Sequence, residues 1–418
     1  MSVSKLAQKL KGSEIIKIGG EINELKKKGE KIANLTIGDF DPAIFPIPNG
    51  LKHAIIDAYH ANHTNYPPAE GVTALRENIS VFIKERYHLD YPINQILVAG
   101  GSRPLIYATY LALVDSGDKV VFPTPSWNNN HYCDLSGGIG IGVPTSAENK
   151  FMPTAEDLRP HLKGATLLAL CSPLNPTGTM FSKSNLEQIC DLVLEENKSR
   201  SADEKPLYVL YDQIYSLLTF GEEEHFEPVN LRPEIKEYVI FIDGISKCFA
   251  ATGVRVGWAC GPQNIMDKMR SILGHVGAWA PKAEQIATSN FLNQTADLNT
   301  YLNSFKKQLQ ESLTALYKGV MQLKSEGFLV DSIAPMGAIY LTVKVDYTGK
   351  TTPYGNLLKT SADVNFYLIK EAKIALVPFS AFGSDDNMNW FRASVGGCSL
   401  QDIENMIPRL KAALEKLK

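Results

Sequence analysis

The sequence predicts an α/β fold: a mostly parallel sheet flanked by helices, completed by a smaller α+β unit. Three observations carry this. Short apolar, β-rich runs at 95–99, 119–122, 166–171, 207–211, 238–242 and 256–260 read as strands buried on both faces. Stretches of helical periodicity at 72–88, 104–114 and 184–195 lie among them and imply parallel crossovers. From about residue 300 the pattern changes to a long helical stretch, then β-like runs at 336–345, 375–377 and 390–394. Before the first unit stand amphipathic helical spacing at 15–31, a strand-like run at 33–37, a loop holding Pro42, Pro46 and Pro48, and a helical run at 51–61. This N-terminal stretch is expected to pack with the second unit.

The 418 residues exceed one simple core and fit a large domain with a smaller one. Hydrophobic residues at 44% and charged residues at 21% describe an ordinary soluble globular chain. A net charge of −3 gives no bulk attraction to nucleic acid or acidic lipid. The start, Met1 to Leu6, lacks the apolar run of a signal peptide. No apolar stretch approaches the roughly 20 residues that span a bilayer. The six cysteines are scattered without a CxxC pair, which disfavours a disulfide framework or structural zinc and points to the cytoplasm. His60 and His63 have metal-ligand spacing but no third ligand to match, so a solvated helix end is the expectation.

Several unusual residues follow predicted strands, the edge at which α/β sheets bind ligands. Gly100-Gly101-Ser102 precedes a helix with Pro104 in its first turn. Ser102 there is either an N-cap or part of a phosphate site built on free helix-start amides. Ser172-Pro173-Leu174-Asn175-Pro176-Thr177-Gly178 is either a plain Pro-rich turn or a rigid loop aiming Asn175 at a ligand, with a cis bond possible at either proline. Asp212 ends an apolar run and needs a partner, either a helix it caps or a buried cation, with Tyr215 close by if a turn begins there. Lys247 is the one charge between Asp243 and Arg255. Burial lowers a lysine pKa and frees its amine for Schiff-base chemistry. Arg255, eight residues on, offers a fixed charge for a phosphate. Arg392, inside a β-like run, is either an edge-strand charge or a planar fork for a carboxylate.

Taken in order and spacing, Gly100-Gly101-Ser102, Asn175-Pro176-Thr177-Gly178, Asp212-Gln213-Ile214-Tyr215, Ser246-Lys247, Arg255 and Arg392 resemble the class I/II pyridoxal-phosphate-dependent aminotransferases of the aspartate aminotransferase fold, fold type I. The resemblance runs from about Asn34 to the C-terminal helix. It implies a seven-stranded sheet, a large cofactor domain at 50–297 and a small domain made of 1–49 plus 298–418. It makes Lys247 the lysine that holds pyridoxal 5'-phosphate and later carries the proton. Asp212 then faces the pyridine nitrogen, Tyr215 and Asn175 the phenolic oxygen, and Gly101, Ser102 and Arg255 the phosphate. Trp127 stacks on the ring, Arg392 and the Gly38 loop take the substrate, and Tyr66 reaches the phosphate of a neighbouring subunit, which implies a homodimer. No metal is required. The implied reaction is ping-pong transfer of an amino group from an L-amino acid to a 2-oxo acid. A β-eliminating (C–S) lyase on the same scaffold, or a non-catalytic cofactor-binding regulator, are the alternatives. One departure is visible: Gly244 stands where the family often has a phosphate-binding serine. For the substrate side chain, the segment 274–281 carries His275 and Trp279 and no distal arginine, which argues against a strict dicarboxylate enzyme and leaves aromatic or mixed substrates open. Arg103 could compensate, although a helix-start arginine is usually solvated.

Overall fold

The apolar runs bounded by Gly and Pro form strands wherever both faces find cover. In a computed structural model the described residues are 3–10, 12 and 14–418. The first strand, β1 (Ala33–Asn34), is shorter than the run at 33–37. The backbone N–H and hydroxyl of Thr36 both donate to the Asn34 carboxamide oxygen, at 3.1 and 2.6 Å, and turn the chain away.

The main sheet holds β2 (Ile96–Ala99), β3 (Lys119–Thr124), β4 (Ile139–Pro144), β5 (Ala165–Cys171), β6 (Tyr208–Asp212), β7 (Val239–Gly244) and β8 (Gly257–Cys260). Their order is β2-β8-β7-β6-β5-β3-β4. The strands from β4 to β7 run parallel, and β8 is antiparallel to both of its neighbours. The sequence reading missed β4. Gly140 and Gly142 deprive it of an apolar run, and as the edge strand it leaves most of its residues exposed. Helices Asn129–Ser136, Ala155–Leu162, Gln263–Val276 and Lys282–Leu292 were also not foreseen.

The remaining strands are β9 (Val330–Ser332), β10 (Tyr340–Val345), β11 (Ile374–Ala375), β12 (Val377–Pro378) and β13 (Trp390–Ser394). Four make an antiparallel sheet in the order β12-β13-β10-β9, while β1 pairs with β11 in parallel. Arg392 is therefore on an inner strand, not an edge.

The main sheet has a core on each face. One gathers residues from Leu51 to Leu302, the other residues from Leu97 to Leu273. A further core joins Ala33, Leu35, Phe40 and Phe45 to residues from Phe305 onward, and takes in Ile214, Tyr215, Leu218, Phe220 and Ala250. The helix Thr295–Ser325 serves two of these cores. Leu298 and Leu302 belong to the first, while Phe305, Leu309, Leu313, Leu316, Val320 and Leu323 belong to the last. Spacings of three and four residues place this set on one face. Replacing the fully buried Leu309 with Ala is expected to remove about 2–5 kcal/mol of stability in denaturant unfolding. Exposed Lys307→Ala should change it by less than about 0.5 kcal/mol.

Candidate active site

The C-terminal ends of the parallel strands and the β10–β13 face enclose a cavity of about 860 Å³. Gly38, Ser102, Arg103, Trp127, Asn175, Asp212, Tyr215, Lys247, Arg255 and Arg392 all line it. An open groove of about 940 Å³ between the helices Thr295–Ser325 and Leu400–Leu414 gathers no such convergent groups.

Lys247 lies in the short helix Ile245–Cys248 that follows β7. Its amine donates to the Gly38 carbonyl at 2.5 Å and stands 5.8 Å from the Tyr215 ring centre. Burial pulls its pKa from the usual 10.5 down to about 8; Asp39 opposes the shift, and Arg392, Arg103 and Arg255 add to it. Asp212 ends the neighbouring strand. Burial pushes it up to about 6, against the Ile214 amide, which donates to Oδ1 at 3.2 Å, and against the charge of Lys247. The bond its carboxylate accepts lies within its own turn, so the side chain does not cap a neighbouring helix.

Asn175 sits in the loop after β5, where the bonds Ser172–Pro173 and Asn175–Pro176 are both cis, as is Thr124–Pro125. Its Oδ1 accepts from Arg392 Nη1 at 3.0 Å. Arg392 Nη2 donates to the Thr36 carbonyl at 2.5 Å, and Nε is buried without a partner. The guanidinium lies 4.7 Å from the Tyr340 ring centre and 5.0 Å from that of Phe382. Only 1% of this residue is exposed, so its charge must be answered inside the cavity. The Tyr215 hydroxyl meets the Tyr340 hydroxyl at 2.6 Å, and burial pushes the Tyr215 phenol well above its ordinary range.

At the helix Ser102–Leu113 the N-cap is Gly101, not Ser102, and no side chain caps the end. Gly101 has φ 93°, and a Cβ there would strike the Arg255 guanidinium, so glycine alone keeps this corner open. Arg255 donates to the Thr252 and Gly100 carbonyls, both at 2.8 Å. Gly244 is explained by packing. A Cβ would lie 2.8 Å from both Gly257 Cα and the Val256 carbonyl oxygen, so the serine of the resemblance has no room. Ser246, buried beside Lys247, lines the cavity instead.

Arg103 is exposed, yet its guanidinium lies 5.2 Å from the Trp127 ring centre rather than extending freely into solvent. Trp127 is half-buried against Phe382. Tyr66 stays outside the cavity. It is 82% exposed and edge-on to Trp279 at 5.4 Å, in a separate depression formed by residues 59–67 and 277–284. His275 is exposed and does not line the cavity.

Sequence reasoning missed Tyr340, Asp39 and Thr36. A tyrosine in an apolar strand and a backbone carbonyl carry no mark in a sequence. Asp39 adjoins Gly38, but only the structure shows its Oδ1 accepting from the Thr252 hydroxyl at 2.5 Å, close enough to Lys247 to raise its pKa. Amine-selective acylation followed by peptide mass spectrometry is expected to label Lys247 with a midpoint near pH 8, well below that of exposed lysines.

A family model for aminotransferase class I and II matches residues 30–410. An aspartate aminotransferase of a Bacillus species is 28% identical over 400 residues, 95% of this chain and 95% of its own. A probable aspartate/prephenate aminotransferase of Rickettsia felis is 30% identical over 417 residues, covering 98% of this chain and 96% of its own. Among solved structures, the aspartate aminotransferase of Rhizobium meliloti superimposes with a TM-score of 0.91 at 26% identity, covering all of both chains. That of Thermus thermophilus with maleate gives 0.86 at 25% identity, with 99% and 100% covered. The matched span begins before the Gly38 loop and ends beyond Arg392, so Lys247, Asp212, Asn175, Arg255 and Arg392 all lie inside it: the chain belongs to the class I and II aminotransferases.

Proposed function

We propose that this aminotransferase holds pyridoxal 5'-phosphate on Lys247 and takes its amino group from an L-amino acid with an acidic side chain. The observation that carries the reading is the pairing of a buried amine and a buried carboxylate on neighbouring strand ends. Lys247 is pushed down to about 8 and Asp212 up to about 6 in one cavity. Both stand where their charge states depend on what the cavity holds.

The donor set fits the group. The open corner at Gly101, the helix start at Ser102 and the Arg255 guanidinium suit a phosphate. Asp212 suits a protonated ring nitrogen, whose charge would favour the ionised carboxylate. Asn175 and Tyr215 suit a phenolic oxygen, and Trp127 a ring face. When bound, the cofactor supplies an electron-withdrawing ring that stabilises charge developing at the substrate α-carbon.

The rest falls to the chain. Arg392 presents Nη1 and its unpartnered Nε to the α-carboxylate and orients the Cα–H bond. The lowered pKa lets a neutral Lys247 amine take that proton near neutral pH and return it elsewhere. The Gly38 segment covers the amine and excludes water.

The assignment of an acidic side chain rests on charge. With Arg255 turned to phosphate and Arg392 to the α-carboxylate, Arg103 is the guanidinium left at the cavity wall. The names of the relatives, aspartate and aspartate/prephenate aminotransferases, and the maleate in one neighbour support the same class. Aromatic or mixed donors, which the segment carrying His275 and Trp279 leaves open, are the second reading.

The reading includes a homodimer in which Tyr66 reaches the partner's phosphate, supported by the exposure of Tyr66 and its distance from its own cavity. It also includes a large unit at 50–297 and a small one at 1–49 plus 298–418, supported by the separate cores. Residues 1–2, 11 and 13 of the latter lie outside the described ones. Among the described residues no helix is long and apolar enough to cross a membrane. A cytoplasmic enzyme acting on small molecules, with no nucleic-acid partner, completes the reading.

Purified protein given pyridoxal phosphate should absorb near ~420 nm, and an acidic amino donor should convert this to a band near ~330 nm. Lys247→Ala should lose the donor-driven conversion. No visible band in the wild type would sink the reading. With a β-thioether amino acid as substrate, persistence of the band while a thiol, pyruvate and ammonia accumulate would replace transfer by elimination. Arg103→Ala should lower kcat/KM for aspartate by about tenfold or more, and for alanine by less than about threefold, in steady-state assays.

A further inference from the structure

Behind the cavity lies a buried carboxylate that the proposed chemistry does not use. Asp243 precedes Gly244 at the end of β7 and is 4% exposed. Its Oδ1 accepts from the Gly244 amide at 2.7 Å and its Oδ2 from the Tyr87 hydroxyl at 3.1 Å. Tyr87 ends the helix Thr73–Tyr87, and its hydroxyl also meets the Ser216 hydroxyl at 2.7 Å. Ser216 follows Tyr215 and closes the turn after β6, its amide donating to the Gln213 carbonyl at 2.8 Å. An unbroken line of short bonds thus runs from the segment that carries Lys247 to the turn that carries Asp212 and Tyr215.

We infer that Asp243, Tyr87 and Ser216 form a positioning brace that fixes the Lys247 segment against the Asp212–Tyr215 turn. The inference rests on the reading of Lys247 and Asp212 as the cofactor's partners. β6 and β7 are parallel neighbours, Asp212 opposite Ile242, but beyond their ends the two chains diverge into a turn and a short helix. The brace spans this divergence. Both its ends are pinned. Gly244 has no room for a Cβ against Gly257 and Val256, and the Tyr215 hydroxyl is bonded to Tyr340. Tyr87 is held from behind, its carbonyl accepting from Asn230 Nδ2 at 2.6 Å.

The brace depends on geometry more than on charge. The titratable groups facing Asp243 are Tyr87, Glu227, Asp212, Cys248 and Cys260, from five different segments. As a carboxylate it accepts both bonds. As a neutral acid it still accepts from Gly244 and gives its proton to the Tyr87 oxygen, leaving that phenol to donate to Ser216. An asparagine does the same with its carbonyl and amide groups. A phenylalanine at position 87 cannot.

Tyr87→Phe, Ser216→Ala and Asp243→Asn separate a brace from mere core packing. Two midpoints are read: that of pH-dependent acylation of Lys247 in cofactor-free protein, and that of the visible band after loading with pyridoxal phosphate. Tyr87→Phe and Ser216→Ala should each move both midpoints by about half a pH unit or more, as expected when charged neighbours shift by fractions of an ångström. They should lower kcat about five- to tenfold with KM within about twofold. Asp243→Asn should keep the wild-type midpoints. A lower melting temperature with unmoved midpoints and kcat in Tyr87→Phe overturns the brace. If Tyr87→Phe does not fold, unmoved midpoints in Ser216→Ala overturn it equally. A wild-type chain that gives no visible band overturns the cofactor reading, while a moved acylation midpoint would still support the brace.

Discussion

Four cationic side chains share one cavity with two carboxylates, and the architecture around them answers that excess. Lys247, Arg103, Arg255 and Arg392 face Asp39 and Asp212. Like charges in a poorly hydrated space repel, and burial adds to the cost. The chain meets it with backbone carbonyls. Gly38 takes the lysine, Thr252 and Gly100 take Arg255, and Thr36 takes Arg392. These oxygens hold three of the four cations in place without neutralising them, so the positive potential remains for an anionic ligand. The strand ends, the glycine corner and the short helix at Lys247 are the means by which those carbonyls reach their positions.

The site is assembled from distant stretches of the chain. Thr36 and Gly38 come from the N-terminal segment, Asn175, Asp212 and Lys247 from the main sheet, and Tyr340 and Arg392 from the antiparallel sheet. Arg392 makes this dependence concrete, since its two Nη groups bond a residue before the main sheet and a residue in the loop after β5. Tyr340 repeats the pattern through Tyr215. Packing follows the same pattern, because Ile214, Tyr215 and Ala250 are buried in the core that gathers residues from Phe305 onward.

What the sequence disclosed depended on contrast. Lys247, Asp212 and Arg392 stood out as charges within apolar runs, and burying a charge requires a reason. Asn175 stood out through its flanking prolines, and Gly101 through its place between a strand and a helix. Tyr340 and Tyr87 carried no contrast, because a tyrosine within an apolar stretch reads as core until its hydroxyl partner is known. Asp243 was visible only as the end of an uncharged stretch. β4 was hidden by its own glycines, and the antiparallel sense of β8 depends on where the chain crosses over, which local pattern does not encode. The position of Arg103 over Trp127 likewise joins residues whose pairing no spacing announces.

The helix Thr295–Ser325 has a thermodynamic consequence. Its 31 residues extend about 46 Å as one hydrogen-bonded rod, with Leu298 and Leu302 in one core and Phe305 onward in another. No flexible linker intervenes at that crossing. Loss of either core would strip its share of the helix's apolar face and expose it to water while the rest stayed docked. The two cores are thereby coupled in unfolding, and cooperativity in this molecule is a property of a shared helix as much as of either core by itself.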